Sequence, residues 1–337
     1  MMTLGATFNY IIDPLWCFPH NYRLTSNQKA IDERQQKTNY LSYINTKKYD
    51  ALILGNSRTA LTNQNDFAGL QAYNYSVAGM TPYEYLAFID YFKKVAGTPK
   101  TIVMGLDFQN TNQNLKASVH QSEYYMHNAQ SASYRFKALF MKDTFSYSLE
   151  NLRLKKVIQV RKNGTSLIVY DHDNIATLVK FTNEQKRQDY IKKEVDDLRN
   201  TYHNSYTYRD DLAQSLKDIK QSNPGTRFIA FTTPVSKLYF CAMVTEGKLP
   251  QYERWLKEMV EVFGQVWHFE YLNSITMEYD KNFSDSHHYY PPVGTMIAHR
   301  VTGISDNNTP SDFGILLTSG NINKELAKIK AGSAVCQ

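Results

Sequence analysis

The stretch Tyr49-Asp-Ala-Leu-Ile-Leu-Gly-Asn-Ser-Arg-Thr59 decides the predicted fold. Its first part ends in a continuous apolar run, which is typical of a parallel strand buried on both faces of a sheet. Gly55 follows at once and allows a tight turn. Ser57 then stands where backbone N–H groups point outward at the start of a helix. The stretch therefore predicts a buried strand that leads directly into a helix.

Four further apolar runs have the same character. They lie at Ala72–Val77, Thr101–Met104, Arg227–Thr232 and Val266–Phe269. Helical patterns separate or follow them, at Pro82–Val95, Asp210–Lys220, Gln251–Phe263 and Pro292–Val301. Alternation of strands and helices predicts an α/β fold, with helices on both faces of a mostly parallel five-stranded sheet.

A long interval breaks this alternation and predicts an insertion at residues 110–207. Within it, Ser166-Leu-Ile-Val-Tyr170 is expected to be one strand of a hairpin that turns near Asn163-Gly164. Insertions of this kind often lie over the carboxyl ends of the strands, so this one is either a cap over the site or a peripheral decoration. The predicted organisation is an N-terminal segment at 1–47, a core at 48–109 and 208–310, the insertion, and a C-terminal extension at 311–337.

The charge distribution argues against nucleic-acid binding, and the motifs argue against nucleotide binding. The 38 basic and 32 acidic residues give a net charge of +6 and are scattered, whereas nucleic-acid binders concentrate their charge on one face. We therefore expect no nucleic-acid partner. Neither a GxGxxG nor a GxxxxGK[ST] motif follows the first strand, which argues against a nucleotide site.

Cys17, Cys241 and Cys336 have neither CxxC nor metal-ligand spacing, and their odd number leaves the redox compartment open.

Ser57 has two interpretations. Backbone N–H groups at a strand-to-helix turn can hold an oxyanion next to a serine hydroxyl, as a nucleophile requires. The ordinary alternative is a serine that caps a helix. A Gly-x-Ser signal does not decide between them.

The segment Phe283-Ser-Asp-Ser-His-His-Tyr-Tyr-Pro-Pro292 carries the partner chemistry. Asp285 stands three residues before His288, so its carboxylate can accept the Nδ1–H of that imidazole and leave Nε2 free to take a proton from a serine. His287 stands two residues after Asp285 and stays an alternative base. These residues could also bind zinc, but no distant ligand stands out, so we expect no metal and no other cofactor.

Together, Gly-x-Ser after the first strand and Asp-x-x-His before the last helix resemble the SGNH/GDSL hydrolase superfamily. The resemblance covers roughly residues 48–110 and 225–303. It implies a flavodoxin-like three-layer α/β/α sandwich. It also implies that Ser57 is the nucleophile, His288 the base and Asp285 the partner that orients it.

The family's other two blocks concern the oxyanion hole. Asn74-Tyr-Ser-Val-Ala-Gly79 resembles the second block, so the resemblance implies that the Gly79 N–H lies beside that of Ser57. The third block is G-x-N-D, whose Asn donates to the oxyanion. Here Gly105-Leu-Asp-Phe108 has Asp107 at that position. An ionised carboxylate donates no hydrogen bond and repels a developing oxyanion.

Three solutions to this departure stay open. An amide of Asn56, Gln109 or Asn110 replaces the missing donor, two backbone donors suffice, or Asp107 binds a substrate hydroxyl. The expected substrate contacts are Asn56, Arg58, Asp107, Asn110 and His287.

The variant motifs GNSRT, GLDF and DSHHY look closest to SGNH-like proteins of bacterial cell surfaces. Relatives of this kind include membrane-anchored partners in the acylation of polysaccharides and teichoic acids. Such proteins often begin with a membrane helix that runs into N-Y-x-x-D-P, which Asn9-Tyr-Ile-Ile-Asp-Pro14 resembles. Met1–Phe18 is too short to span a bilayer and lacks the features of a secretory leader. We expect an extracytoplasmic protein, at the cell surface or in the periplasm, anchored through a segment missing or truncated here. The alternative is a buried N-terminal segment.

Two functions follow from these patterns. The first is an esterase or O-acyltransferase that passes an acyl group from Ser57 to water or to a hydroxyl of a cell-surface carbohydrate or glycopolymer, with a membrane acyltransferase as a partner. The second is a non-catalytic surface module of the same fold that binds a glycan or a membrane partner. Asp107 favours the second function, and the complete set of Ser57, Asp285 and His288 favours the first.

Overall fold

The structure is a computed structural model that describes residues 2–19, 25, 27–115, 118, 120–159, 167–181 and 183–337. Its strands are β1 Gln28–Lys29, β2 Ala51–Leu54, β3 Ala72–Asn74, β4 Thr101–Leu106, β5 Leu167–Tyr170, β6 Ala176–Val179, β7 Arg227–Thr232, β8 Gln265–His268 and β9 Ile315–Thr318. Six of them form the main sheet in the order β3-β2-β4-β7-β8-β9.

Two neighbouring strands of this sheet, β2 and β4, are buried along their whole length. All four residues of β2 and all six of β4 are buried, which is why these segments read as apolar runs in the sequence. Strands β3, β2, β4, β7 and β8 run parallel, with Ala51 level with both Ala72 and Thr101. The predicted α/β class and the five predicted strands are confirmed.

The sheet has one strand more than expected. β9 comes from the C-terminal extension and pairs antiparallel with β8, with Gln265 opposite Thr318 and His268 opposite Ile315. The prediction of five strands was therefore wrong. Only Leu317 of β9 is fully buried, so this short edge strand lacks the long apolar run by which the other strands were recognised.

Helices connect these strands. Their bounds are α1 Met2–Ile12, α2 Glu33–Asn39, α3 Ser57–Ala60, α4 Tyr85–Ala96, α5 Ser122–Gln130, α6 Tyr134–Ala138, α7 Lys142–Gln159, α8 Glu184–Asn204, α9 Leu212–Gln221, α10 Lys237–Thr245, α11 Leu249–Phe263, α12 Ser274–Met277, α13 Tyr279–Asn282, α14 Pro291–Thr302 and α15 Ile322–Gly332. A π-helix at Tyr40–Ile44 and short 3-10 turns, one of them Pro82–Glu84 before α4, complete them. The four predicted helices are present as α4, α9, α11 and α14.

The insertion joins the N-terminal segment in a second, small sheet. β5 pairs antiparallel with β1 on one side and with β6 on the other. The strand expected at Ser166–Tyr170 is thus present from Leu167, and it turns back to β6 through residues 171–175. The turn expected near Asn163-Gly164 lies outside the described residues.

The N-terminal segment packs against the rest of the chain. Phe8 of α1 contacts Phe145 of α7 edge to face, and the Asn9 amide donates to the Leu139 carbonyl over 2.8 Å. In α2, every residue except Arg34 is buried. Within the described parts of the chain, no helix combines the length and the apolar character that crossing a membrane requires.

A disulfide ties the C-terminus to the core. Cys241 of α10 is bonded to Cys336, with the two Cα atoms 5.0 Å apart, and Cys17 is a buried free thiol. The separation of 95 residues closes a long loop, and such loops restrict the unfolded chain by roughly 4–5 kcal/mol in the chain-entropy description. The three cysteines are therefore one disulfide-bonded pair and one free thiol.

Candidate active site

Ser57 is the first residue of α3 and follows β2 after a turn of two residues. The turn needs glycine at position 55, because a Cβ there would overlap the side chain of Thr59. Asn56 caps α3, and its side-chain oxygen accepts from the Arg58 N–H over 3.0 Å. The backbone of the sheet core therefore sets the position of Ser57.

Ser57, His288 and Asp285 form one hydrogen-bonded line. Ser57 Oγ lies 2.8 Å from His288 Nε2, and His288 Nδ1 lies 2.8 Å from Asp285 Oδ2. The other Asp285 oxygen, Oδ1, accepts the backbone N–H groups of His287 at 3.0 Å and His288 at 2.7 Å. Asp285 is fully buried. The structure thus brings together the three residues that the sequence selects as nucleophile, base and orienting acid.

The electrostatics of the two histidines differ. Burial opposes a charge on His288, but the Asp285 carboxylate and its hydrogen bond outweigh this, so the pKa of His288 is raised above its ordinary value. Burial and the nearby His288 lower the pKa of His287 to about 3, which keeps that ring neutral. His287 Nδ1 lies 2.9 Å from Ser286 Oγ, and it is His288 that contacts Ser57. Of the two candidate bases, the geometry favours His288.

The same residues are a group that could hold a metal ion. One potential ligand atom each from Asp285, His287 and His288 lies within 4.8 Å of the others. Their hydrogen bonds to one another, to Ser57 and to Ser286 already explain this closeness. We therefore assign no metal to them.

Gly79 lies at the same edge of the sheet as Ser57, because β3 runs parallel and next to β2. It is exposed and occupies the left-handed region at φ +63°, which favours glycine. The Val77 N–H donates to the Gly55 carbonyl over 3.2 Å. The loop that carries Gly79 is thus hydrogen-bonded directly to the turn that carries Ser57.

Arg58 and Asp107, two expected substrate contacts, instead face each other inside the protein. Arg58 Nη2 lies 2.9 Å from Asp107 Oδ1, and neither side chain exposes more than 1 % of its surface. The Asn56 amide and the Thr233 hydroxyl also donate to the Asp107 carboxylate. Burial disfavours the Arg58 cation, but Asp107 outweighs this and raises the pKa of Arg58. The Arg58 cation therefore balances the charge of the buried Asp107 carboxylate, and the Asn56 side-chain nitrogen donates one of its two N–H groups to it.

Asn110 is an expected contact whose side-chain donor is still available. It is buried in the turn after β4, and its amide nitrogen makes no hydrogen bond to the described part of the chain. Buried donors without an acceptor are costly, so such a group is a natural place for water or a ligand atom. Arg58 Nη1 and the hydroxyls of Tyr239 and Tyr289 are in the same condition.

Two sets of contacts around the site were not found from the sequence. Arg187 and Glu194 of α8 bind the loop that carries His288. Glu33 of α2 accepts the Ala78 N–H over 2.5 Å, next to Gly79, and Arg34 donates to the Ala78 carbonyl over 3.0 Å. Arg187 and Glu194 lie seven residues apart, and this spacing on one helix face can be seen in the sequence. The loop that they contact lies about 90 residues further along the chain and cannot be identified from the sequence.

Comparison with known proteins adds no family. No protein-family model matches the sequence, and no curated protein is significantly similar to it. Function is therefore inferred from the residues of the site themselves.

Proposed function

We propose that this protein is an SGNH-type serine enzyme that forms an acyl-serine at Ser57, as an esterase or an O-acyltransferase. The observation that carries the proposal is the line from Ser57 Oγ through His288 to Asp285, with 2.8 Å at each step. The strand order also supports it. Numbered by occurrence in the chain, the five parallel strands run 2-1-3-4-5, which is the flavodoxin-like order.

Acylation is the first half of the proposed reaction. His288 Nε2 takes the hydroxyl proton of Ser57 while Oγ bonds to the carbonyl carbon of the acyl donor. Collapse of the tetrahedral intermediate breaks the bond to the leaving alkoxide, which receives the proton from His288. Asp285 stabilises the imidazolium in between, which agrees with the raised pKa of His288.

Deacylation repeats these steps with a second nucleophile. His288 takes a proton from water or from a sugar hydroxyl, whose oxygen attacks the acyl carbon. Ser57 Oγ leaves and recovers its proton from His288. Water as acceptor gives an esterase, and a carbohydrate hydroxyl gives an O-acyltransferase.

We propose three donors for the oxyanion. They are the backbone N–H groups of Ser57 and Gly79 and the side-chain amide of Asn110, which is buried and makes no hydrogen bond to the described part of the chain. The Asp107 carboxylate is not expected to repel the developing oxyanion, because the Arg58 cation beside it balances its charge. Asn56 is not assigned to the oxyanion, since its amide already binds Asp107.

A cell-surface carbohydrate or glycopolymer is the substrate that we propose, outside the cytoplasm and with a membrane acyltransferase as partner. The resemblance to SGNH-like surface proteins supports this choice. The Cys241–Cys336 disulfide independently supports the proposed location outside the cytoplasm, since disulfides persist mainly in oxidising compartments.

Reaction with a fluorophosphonate probe tests the proposal. An activated serine displaces fluoride from phosphorus and becomes covalently labelled. We expect labelling of the wild type and of His287→Ala, and none of Ser57→Ala or His288→Ala. Folding of each variant is checked by circular dichroism. A folded wild type that does not react would overturn the enzyme proposal and favour the glycan-binding module, which equal glycan binding by the wild type and Ser57→Ala would then support.

A further inference from the structure

The loop that carries the base has little regular structure of its own. An antiparallel bridge between Phe283 and Tyr289 closes it, and the Ser284 N–H donates to the His288 carbonyl over 2.8 Å. Between these ends lie Asp285 and His287. A loop of this kind keeps a side chain within tenths of an ångström only if other elements hold it.

Helix α8 of the insertion contacts this loop at two points. Arg187 and Glu194 are separated by two helical turns and so lie on the same face. Near the start of the loop, Arg187 Nη2 donates to the Phe283 carbonyl over 2.9 Å and Nε to the Ser284 carbonyl over 3.0 Å. Only 4 % of the Arg187 side chain is exposed. These are charge-assisted bonds in a buried setting, where they are strong.

The second contact falls beside the reacting residues. Glu194 Oε2 accepts the backbone N–H of Ser286 at 3.1 Å and its hydroxyl at 2.8 Å. Ser286 Oγ in turn lies 2.9 Å from Nδ1 of the neutral His287. Since Ser286 gives its only hydroxyl proton to Glu194, it accepts the Nδ1–H of His287. The chain of bonds therefore fixes the backbone on both sides of Asp285 and the tautomer of His287.

We propose that Arg187 and Glu194 are positioning residues, which hold the loop of Asp285 and His288 so that the imidazole meets Ser57. This inference rests on the proposed function. It assigns the insertion a part in the site: the nucleophile belongs to the sheet core, and the base is held by α8.

Glu194 also acts on His288 through its charge. The titratable and charged groups that face His288 are Asp285 and His287 on its own loop, Glu194 on α8, Arg58 on α3 and Asp107 directly after β4. Asp285 and Glu194 raise the pKa of His288, and Arg58 lowers it. Burial and the Asp285 charge raise the pKa of Glu194 itself to about 7, so Glu194 loses its charge in the pH range in which His288 titrates. Replacing Glu194 by glutamine keeps the shape and removes this charge at every pH. Labelling needs neutral His288, so the pH midpoint of the labelling rate should then move to a lower value. A purely structural role does not produce this shift.

The experiment measures the rate of fluorophosphonate labelling as a function of pH. For Glu194→Ala and for Ser286→Ala we expect rates on the order of tenfold below wild type. The double variant should lose little more than either single one, because both changes break the same contact. Glu194→Gln should keep most of the rate and shift the acid limb of the profile downward. Asp196→Ala, which removes an exposed acid two residues further along α8, is the matched control and should equal wild type.

The outcomes separate this inference from the proposed function. If the wild type is not labelled, the proposed function fails. If the wild type is labelled and Glu194→Ala reacts at the wild-type rate, the positioning role alone is wrong. Additive losses in the double variant, or an unshifted profile in folded Glu194→Gln, would equally overturn it. Should Glu194→Ala fail to fold, Ser286→Ala and Glu194→Gln still decide the question.

Discussion

The two halves of the site are built in different ways. Ser57 stands between a buried strand and a helix, and residues next to it in sequence fix its position: Gly55 allows the turn and Asn56 caps α3. His288 stands in a loop, and side chains of a distant helix fix its position through Arg187 and Glu194. The proposed nucleophile is thus held by local backbone geometry, whereas contacts from a distant helix hold the loop that carries the proposed base.

This difference has consequences that can be measured separately. The Ser57 half belongs to the packed core, where a change should alter the free energy of unfolding. The His288 half is a buried loop with little regular structure, where a change should alter the rate more than the stability.

The largest expected effect is on the rate, from Asp285→Asn. Asparagine keeps the size of the side chain but donates to His288 Nδ1 or leaves it in the wrong tautomer, so Nε2 no longer accepts the Ser57 proton. By analogy with serine proteases, we expect fluorophosphonate labelling to fall by on the order of 10⁴-fold. Thermal unfolding, measured in parallel, should change little. A loss of less than tenfold would mean that Asp285 does not orient the base.

The largest expected effect on stability comes from Arg58→Met. This change leaves the Asp107 carboxylate buried without its cation, which costs about 3–5 kcal/mol. Urea unfolding measures the loss. The double variant Arg58→Met/Asp107→Leu removes both charges and should recover most of the stability. If the single variant unfolds within 1 kcal/mol of wild type, the ion pair contributes less than its burial implies.

The same division explains what the sequence could predict. Strands such as β2 and β4 are buried on both faces, so their apolar runs are visible in the sequence. The motifs around Ser57 and Asp285 are local and were found for that reason. The ion pair of Arg58 with Asp107 joins residues 49 positions apart in sequence. From the sequence, Asp107 therefore looked like an unpaired acid that opposed catalysis.

A moderate loss of stability is expected from Gly55→Ala, in the tight turn before Ser57. In Gly55→Ala the new methyl group overlaps Thr59 and must displace it, which costs about 1–3 kcal/mol. Gly79→Ala is the matched comparison, since no atom lies within 4 Å of its new Cβ and the cost comes from the positive φ alone, about 1 kcal/mol. Chemical denaturation of both variants gives the comparison. Equal losses would show that space at Gly55 is not limiting.

The smallest expected effect is on the pH dependence of the labelling rate, which distinguishes His288 from His287. A base works only when neutral, and Asp285 holds the pKa of His288 above its ordinary 6.5. The labelling rate should therefore be constant at high pH and fall as the pH drops through a midpoint above 6.5. His287 is neutral throughout that range, because its pKa lies at about 3. His287→Gln should then lower the rate slightly at every pH and leave the midpoint unchanged. A midpoint that moves in this variant would mean that the two rings share the titrating proton, and the division between one reacting and one supporting histidine would have to be abandoned.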